Sequence, residues 1–455
     1  MSRLIVVSNR VAPITEGKSS AGGLVVGVLD ALRETGGIWL GWNGNIEPEP
    51  TQQPVTESDK NIDFCTVALT QRDYDHYYRG FSNGLLWPTF HYRIDLSRYT
   101  GDDYAGYLKV NRHFAQILAS SLRDDDRIWV HDYHLIPLGK ACRDLGIRNR
   151  IGFFLHIPFP SPSVLTTIPP HRALVEAMCA YDLLGFQTQT DVQAFVDYAT
   201  RYLGAAVSGN EVKIGDRSIK VGAYPIGIHP DQIRALSKQS RRSKPLDALK
   251  SGLQHRKLIV SVDRLDYSKG LVERFNAFER LLETAPRHRG KVTFVQIAPP
   301  SRQDVQGYRQ IRRQLESTAG RINGKWTELS WTPIRYMNRS YERALLMSFF
   351  RVSQVGLVTP LRDGMNLVAK EYIASQPAHD PGVLVLSEFA GAAAEMRDGA
   401  LMVNPYDVQG MADALDRALS MALDERKSRY EHLMEILRKN DLSSWRDRFL
   451  ADLGD

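Results

Sequence analysis

The chain has 455 residues, 43% of them hydrophobic and 24% charged, with a formal net charge of +6. That length is too great for one ordinary core, so two domains of roughly 200 residues each are expected, and the composition is that of an ordinary globular chain with no low-complexity tract. The small positive charge has no basic tail behind it; it does not single out nucleic acid and suits anionic small substrates equally well.

Cys65, Cys142 and Cys179 show neither metal spacing nor an even count, which points to a reducing compartment and to thiols serving as buried fillers. The N-terminal MSRLIVVSNR has only a short apolar run, and no segment approaches eighteen apolar residues. A cytoplasmic protein without a membrane span is expected.

In chain order, β-rich runs come first as RLIVVS, then RIWVH at 127, IGFFLH at 151 and DLLGFQ at 182, alternating with helical stretches. Such alternation predicts parallel strands joined by crossover helices. Residues 43 to 63, NGNIEPEPTQQPVTESDKNID, are polar and rich in proline, which predicts an exposed excursion. A second series follows with KLIVSVDR at 257, KVTFVQIA at 291, SQVGLVTP at 353, GVLVLSE at 382 and ALMVNP at 400. Between the two series a Pro-Ile-Gly turn gives way to a polar, basic helix. The boundary is placed there, giving a first domain over 1–228, a second over 229–436, and a terminal helix over 437–455. After Gly270, the stripe Leu271, Phe275, Phe278, Leu281 and Leu282 predicts an amphipathic helix. Trp445, Phe449 and Leu453 recur every fourth residue behind Ser443 and Ser444, either of which could cap the last helix.

Open α/β sheets bind ligands beyond the carboxyl ends of their strands, so the residues just after each run carry the functional expectation. Asn9 and Arg10 follow the first run, and Gly22 and Gly23 stand before a helix, where they either admit a ligand to the backbone or simply make a turn. Neither a dinucleotide fingerprint nor a P-loop occurs. Asp132 and His156 stand at strand ends; His131, Asp132 and His134 lack the helical spacing that brings two imidazoles onto one metal, and no metal site is expected. Arg264 and Lys269 sit five residues apart on one strand-to-helix turn, as a diphosphate clamp or as a solvated basic turn, and Arg302 after a further strand has the same two readings. Last comes TPLRDGMNLVAKEY, 359 to 372, read as strand end, tight turn and helix start, with Asp363 and Glu371 as acceptors of sugar and ribose hydrogen bonds or as ordinary acids decorating a helix N-terminus.

With VVSNR, SAGGL, FSNGLLWPTFHYR, WVHDYHL, GFFLHIPFP, YDLLGFQT, YPIGI, RLDYSKG, IAPPSR, GRINGK and TPLRDGMNLVAKEY in this order, nearly the whole chain resembles the trehalose-6-phosphate synthases, retaining glycosyltransferases of the GT-B architecture. The resemblance implies two Rossmann-like doubly wound domains facing across a cleft, with the C-terminal helix crossing back to the first. It implies transfer of glucose from UDP-glucose to glucose 6-phosphate, with no metal and no other cofactor, no nucleic acid or membrane partner, and association as a homo-oligomer, dimer or tetramer. It assigns Arg10, Tyr78, Trp87, Asp132 and Arg302 to the acceptor, Arg10 and Arg302 holding its phosphate. Gly22, Gly23, Arg264, Lys269, Tyr341, Asp363, Gly364, Met365, Asn366, Leu367, Val368, Ala369, Lys370 and Glu371 go to the donor. His156 and Asp363 would lie beside the transferred glucose, and Trp87 with Ile157 resembles the pair associated with selecting the α anomer. His156, Arg264, Lys269, Asp363 and Glu371 form the expected catalytic set. Front-face substitution, in which the leaving diphosphate helps deprotonate the acceptor hydroxyl, needs no protein nucleophile. The acidic DDD at 124–126 is then a plain polar loop, and the absence of a phosphatase signature predicts synthase activity alone. Two rivals remain: another phosphorylated acceptor such as glycerol 3-phosphate, and a catalytically silent sugar-nucleotide sensor.

Overall fold

A computed structural model describes residues 3–11, 23–49, 51, 53–240, 243–302 and 306–454. The chain divides into two compact units. The first comprises Met1–Pro225 together with Trp445–Asp455, and the second is Ile226–Ser444.

The first unit is built on ten strands: β1 Leu4–Arg10, β2 Gly37–Ile46, β3 Val55–Asp59, β4 Ile62–Leu69, β5 Arg127–His131, β6 Ile151–Phe154, β7 Leu183–Phe186, β8 Ala206–Ser208, β9 Glu211–Ile214 and β10 Arg217–Ala223. They lie in the order 3-4-2-1-5-6-7-10-9-8. The run from β4 to β10 is parallel, and β3, β9 and β8 add antiparallel margins. Leu4 to Ser8 are buried, as is all of β6 and β7, which is the continuous apolar pattern of strands covered on both faces. The polar stretch 43–63 is largely exposed as expected but is not all loop: its start is the end of β2 and its middle is β3. The proline-rich segment therefore feeds a short charged edge strand, a placement that discourages further pairing. The DDD motif also differs from its reading as plain loop. Asp126 is buried and accepts from Arg3 Nη2 at 2.7 Å and from the Arg123 N–H at 2.8 Å, so one of the three acids anchors the entry to β5.

Phe449 from the helix Leu442–Gly454 stacks on Trp129 of β5 with centroids 5.0 Å apart, and Trp445 meets the same indole at 5.0 Å. Glycine in β6 and β7 makes room for the ring: a Cβ at Gly152 would stand 2.9 Å from Phe449, and one at Gly185 would stand 2.6 Å from it. The helix is capped by Asp441, which accepts the Ser444 N–H at 2.8 Å, rather than by either serine. Both serines fall inside the first turn.

The second unit is a six-stranded parallel sheet: β11 Lys257–Val262, β12 Val292–Ile297, β13 Ile334–Met337, β14 Val355–Val358, β15 Val383–Ser387 and β16 Leu401–Val403, ordered 13-12-11-14-15-16. This is the doubly wound order 3-2-1-4-5-6. The helix Leu271–Thr284 buries Leu271, Phe275, Phe278, Leu281 and Leu282 completely, as its spacing predicts. Within the parallel run of each sheet the strand order reverses at one place, between β1 and β5 in the first unit and between β11 and β14 in the second. The carboxyl ends of those four strands lead into Arg10, Asp132, Arg264 and Asp363, four of the residues singled out from the sequence.

Candidate active site

In the second unit the two switch-point loops are locked together. Gly270 has φ +65°, and a Cβ there would lie 2.3 Å from the Thr359 carbonyl oxygen, so only glycine lets the turn after β11 close on the segment after β14. The Leu361 N–H donates to the Ser268 carbonyl at 2.8 Å. Lys269, 7% exposed, then reaches Asp363 Oδ2 at 2.5 Å, and Asn366 Nδ2 donates to the same oxygen at 3.0 Å. Lys269 and Asp363, both singled out from the sequence but not as a pair, are thus brought together, and each already holds the other's charge.

Beneath them lies a residue the motif reading passed over. Arg274 is wholly buried and donates to Thr359 Oγ1 at 3.0 Å, Asp263 Oδ2 at 2.7 Å, the Lys269 carbonyl at 2.8 Å and Ser261 Oγ. One planar guanidinium therefore fixes the end of β11, the 263–269 turn and the exit of β14. The signal was present: Arg274 falls three residues after Leu271 and one before Phe275, on the buried stripe.

Asp266 is the second omission. Its carboxylate has no exposure, and Oδ2 accepts from Tyr308 Oη at 2.8 Å, while Arg302 Nη1 donates to Tyr308 Oη at 2.7 Å. Burial pushes the Asp266 carboxyl upward, but Arg302, Arg264 and Lys269, with the Ser268 N–H, outweigh it and hold the group down at about 2. All three predicted cations of this unit therefore feel one buried anion. Arg302 sits at φ 45°, the left-handed region, a strained setting that a functional position tolerates.

The helix Leu367–Ser375 begins behind Asn366, itself left-handed at φ 74°. Glu371 lies just over one turn into this helix and pairs with Arg343 Nη2 at 2.6 Å. Met365, Ala369 and Lys370 turn their side chains inward, so backbone groups are what they and Gly364 can offer a ligand, whereas Leu367 and Val368 keep partial exposure. The Lys370 ammonium is committed to the Ile226 carbonyl at 2.9 Å and to Glu395 Oε2 at 2.6 Å, and Glu395 Oε1 accepts from Asn440 Nδ2 at 2.7 Å. Tyr341 accepts from Arg339 Nε at 2.6 Å and donates to the Met337 sulfur.

In the first unit Arg10 is exposed at the end of β1, with its guanidinium 5.6 Å from the Trp42 ring. Gly44, at φ +91°, makes room for it, since a Cβ there would lie 2.4 Å from Nη2. Trp42 meets Tyr74 and Tyr78 at 5.8 and 5.6 Å, and Tyr78 stacks on His134 with only 8° between the ring planes. Tyr78 belongs to a π-helical stretch, Tyr74–Leu86, a geometry associated with functional sites and without a sequence signature of its own. Asp132 has φ 77°; its N–H donates to the Phe154 carbonyl at 2.8 Å, and its Oδ1 accepts the His156 N–H at 3.2 Å. His156 Nε2 faces His131 Nδ1 at 3.0 Å, and burial pushes the His156 imidazole down to about 3. Burial, then the neighbouring His156, takes His131 well below its ordinary value. Trp87 and Ile157 are both buried, Trp87 lying 5.6 Å from the Tyr133 ring. Gly22 lies outside the described residues, and Gly23 opens the helix Gly23–Thr35. Among the described residues no group of three or more His, Cys, Asp or Glu side chains could hold a metal ion, and no helix is long and apolar enough to cross a membrane.

Comparison with known proteins identifies the family. The model of glycosyltransferase family 20 matches residues 3–455. A trehalose-6-phosphate synthase of Sodalis glossinidius is 52% identical over 454 residues, covering 100% of this chain and 96% of its own. The fold superposes with a TM-score of 0.96 on a UDP-forming α,α-trehalose-phosphate synthase of Burkholderia xenovorans in complex with glucose-6-phosphate, 56% identical and covering 100% of both chains. An E. coli structure described as bound with UDP-2-fluoro glucose gives a TM-score of 0.96 at 49% identity, with 99% of each chain covered. With switch-point geometry, motif order and full-length similarity in accord, the chain belongs to glycosyltransferase family 20.

Proposed function

We propose that the chain transfers glucose from UDP-glucose to glucose 6-phosphate with retention of the α configuration, forming α,α-trehalose 6-phosphate and UDP. The observation that carries this reading is the Lys269–Asp363 pair at the switch point of the second sheet, with Arg264 and Arg302 gathered by the same buried Asp266. Positive side chains concentrated at strand ends suit a pyrophosphate whose charge grows as the glycosidic bond breaks. Arg264 and Lys269 are assigned to that leaving group, and the backbone of the 364–370 segment with Glu371 and Tyr341 to the rest of the donor. Arg10, Tyr78, Asp132 and Arg302 are assigned to the phosphorylated acceptor, Trp87 and Ile157 to anomer selection. On this assignment the first unit is the acceptor domain and the second the donor domain.

Carboxylate chemistry supports front-face substitution over a covalent intermediate. Asp363 is hydrogen-bonded to Lys269 and Asn366, Glu371 to Arg343, and Asp266 to Tyr308, so each acid of the donor loops is already engaged and weakened as a nucleophile. Asp363 instead receives sugar hydroxyl hydrogen bonds, and the leaving phosphate oxygen accepts the proton of the attacking hydroxyl. His156, uncharged near neutrality, serves as a hydrogen-bonding group rather than as an acid. Metal is dispensable in this scheme because Arg264 and Lys269 neutralise the departing charge. The scattered cysteines suit a reducing compartment, so the enzyme is assigned to the cytoplasm, and the family resemblance implies a homo-oligomer.

The test is UDP release from UDP-glucose with glucose 6-phosphate, with glycerol 3-phosphate, and with no acceptor, each with and without a chelator. Release confined to the first, unaffected by the chelator, is the expected result; release with glycerol 3-phosphate alone, or with none, overturns it.

A further inference from the structure

We infer that His131 is a positioning residue for His156: it donates from Nδ1 to His156 Nε2 and so fixes His156 as the tautomer that carries its proton on Nδ1. The inference extends the placement of His156 beside the transferred sugar and rests on that reading.

The two nitrogens stand 3.0 Å apart, so one of them carries a hydrogen and the other a lone pair. Two arrangements of neutral rings satisfy this. If His156 Nε2–H were the donor, His131 would carry its own proton on Nε2. That atom is fully buried and has no hydrogen-bond partner among the described residues. An orphaned N–H in a protein interior is rarer than an under-used acceptor and costs a full desolvation penalty. If His131 Nδ1–H is the donor, its Nε2 presents only a bare lone pair.

The surroundings favour the second arrangement. The Trp129 ring lies 4.5 Å from His131, and the Trp445 and Phe154 rings lie 6.4 Å from it. Both indole N–H groups are themselves buried without partners among the described residues, so these neighbouring rings supply no acceptor for a second His131 N–H. A charged pair is disfavoured because burial depresses both imidazoles.

The consequence falls on the other face of His156. Its Nε2 is occupied, its Nδ1 makes no hydrogen bond among the described residues, and the residue keeps partial exposure. His156 then offers an N–H, not a lone pair, and a sugar hydroxyl oxygen is the partner that fits. Asp132 Oδ1, which accepts the His156 backbone N–H, fixes the main chain from which the ring projects.

The test is a long-range proton–nitrogen correlation spectrum of nitrogen-15-labelled histidine in the ligand-free enzyme, which reports which ring nitrogen carries the proton. Both rings are expected to show protonated Nδ1 and bare Nε2 between about pH 6 and 8. A protonated His156 Nε2 overturns the inference. His131→Asn places an amide N–H close to the lost Nδ1 and should hold turnover within about 3-fold, whereas His131→Phe should move the His156 proton to Nε2 and lower kcat roughly 10-fold or more, with little change in KM. Equal turnover in the two variants overturns the positioning role; should the Phe variant fail to fold, the wild-type and Asn spectra still decide. His156→Ala with undiminished turnover would instead sink the placement of His156 at the sugar, while the wild-type spectrum would still report the tautomer.

Discussion

Replacing Arg274 by methionine keeps the length of the side chain and removes every hydrogen bond it makes. The buried Asp263 carboxylate loses the partner now 2.7 Å away, and removal of one member of a buried ion pair costs about 3–5 kcal/mol. Thr359 Oγ1, Ser261 Oγ and the Lys269 carbonyl also lose a donor, at roughly 1–3 kcal/mol for each group left unsatisfied. These terms share one site and do not add fully, so a net loss on the order of 5 kcal/mol is expected, comparable to the whole stability of many domains. Guanidinium unfolding measures the loss, and hydrogen exchange of the β11 and β14 amides locates it. The double variant Asp263→Asn with Arg274→Met removes the stranded charge and should recover about 2 kcal/mol or more of the single variant's loss. A single variant within about 1 kcal/mol of the wild type, or a double variant no more stable than the single, would refute the reasoning.

Loss of Lys269 or Arg264 to alanine should lower turnover on the order of 100-fold or more with the fold intact, read by UDP release; a decrease below about 5-fold argues against leaving-group stabilisation. Tyr308→Phe breaks the chain from Asp266 to Arg302 and should raise KM for glucose 6-phosphate while leaving KM for UDP-glucose nearly unchanged; equal effects on both would argue against assigning Arg302 to the acceptor. The His156 imidazole is ordinarily near 6.5 and is held at about 3 in the folded chain, so between those values the unfolded state binds the extra proton. Its contribution to stability is complete above about pH 6.5 and is lost as pH falls toward 3, at up to ~1.4 kcal/mol per pH unit; unfolding midpoints that stay level from pH 7 to pH 5 would contradict this. Phe449→Ala should destabilise the first unit by about 3–5 kcal/mol, and a thermal midpoint equal to the wild type would show that the ring is not part of its core.

Which of these features a sequence can announce follows from how each is encoded. Strand ends were legible because VGLV and IVSV are β-rich runs closed by turn residues, and the switch-point rule then directs attention to Arg10, Asp132, Arg264 and Asp363. Lys269 and Asp363 were legible as residues but not as a pair, since 94 positions separate them and only the left-handed Gly270 brings their loops together. Arg274 and Asp266 were passed over because a charged residue beside an apolar stripe, or between two cations, reads as solvated until its partners are known. Strands β2, β3, β4 and β13 and strands β8–β10 were missed: GIWLGW and IDFCTVAL were not picked out from their surroundings, β3 lies in the polar stretch, β8, β9 and β13 are short, and β10 alternates polar with apolar residues. The π-helical stretch has no periodicity to detect. Asp441 outcompeted the serines as a cap because it stands immediately before the helix, where its carboxylate reaches the Ser444 N–H, whereas both serines fall inside the first turn.

Phe449 and Trp445 settle on Trp129 although the whole of 226–444 is made between them and the rest of their unit. On the ribosome, then, the later unit can finish first: its strands are contiguous in the chain, while the earlier one waits with an uncovered aromatic surface for its last helix to emerge. During that interval β6 and β7 present the bare glycine hollow at Gly152 and Gly185, and truncation before Trp445 would make a transient exposure permanent, leaving a chain more prone to chaperone capture than to loss of its second unit.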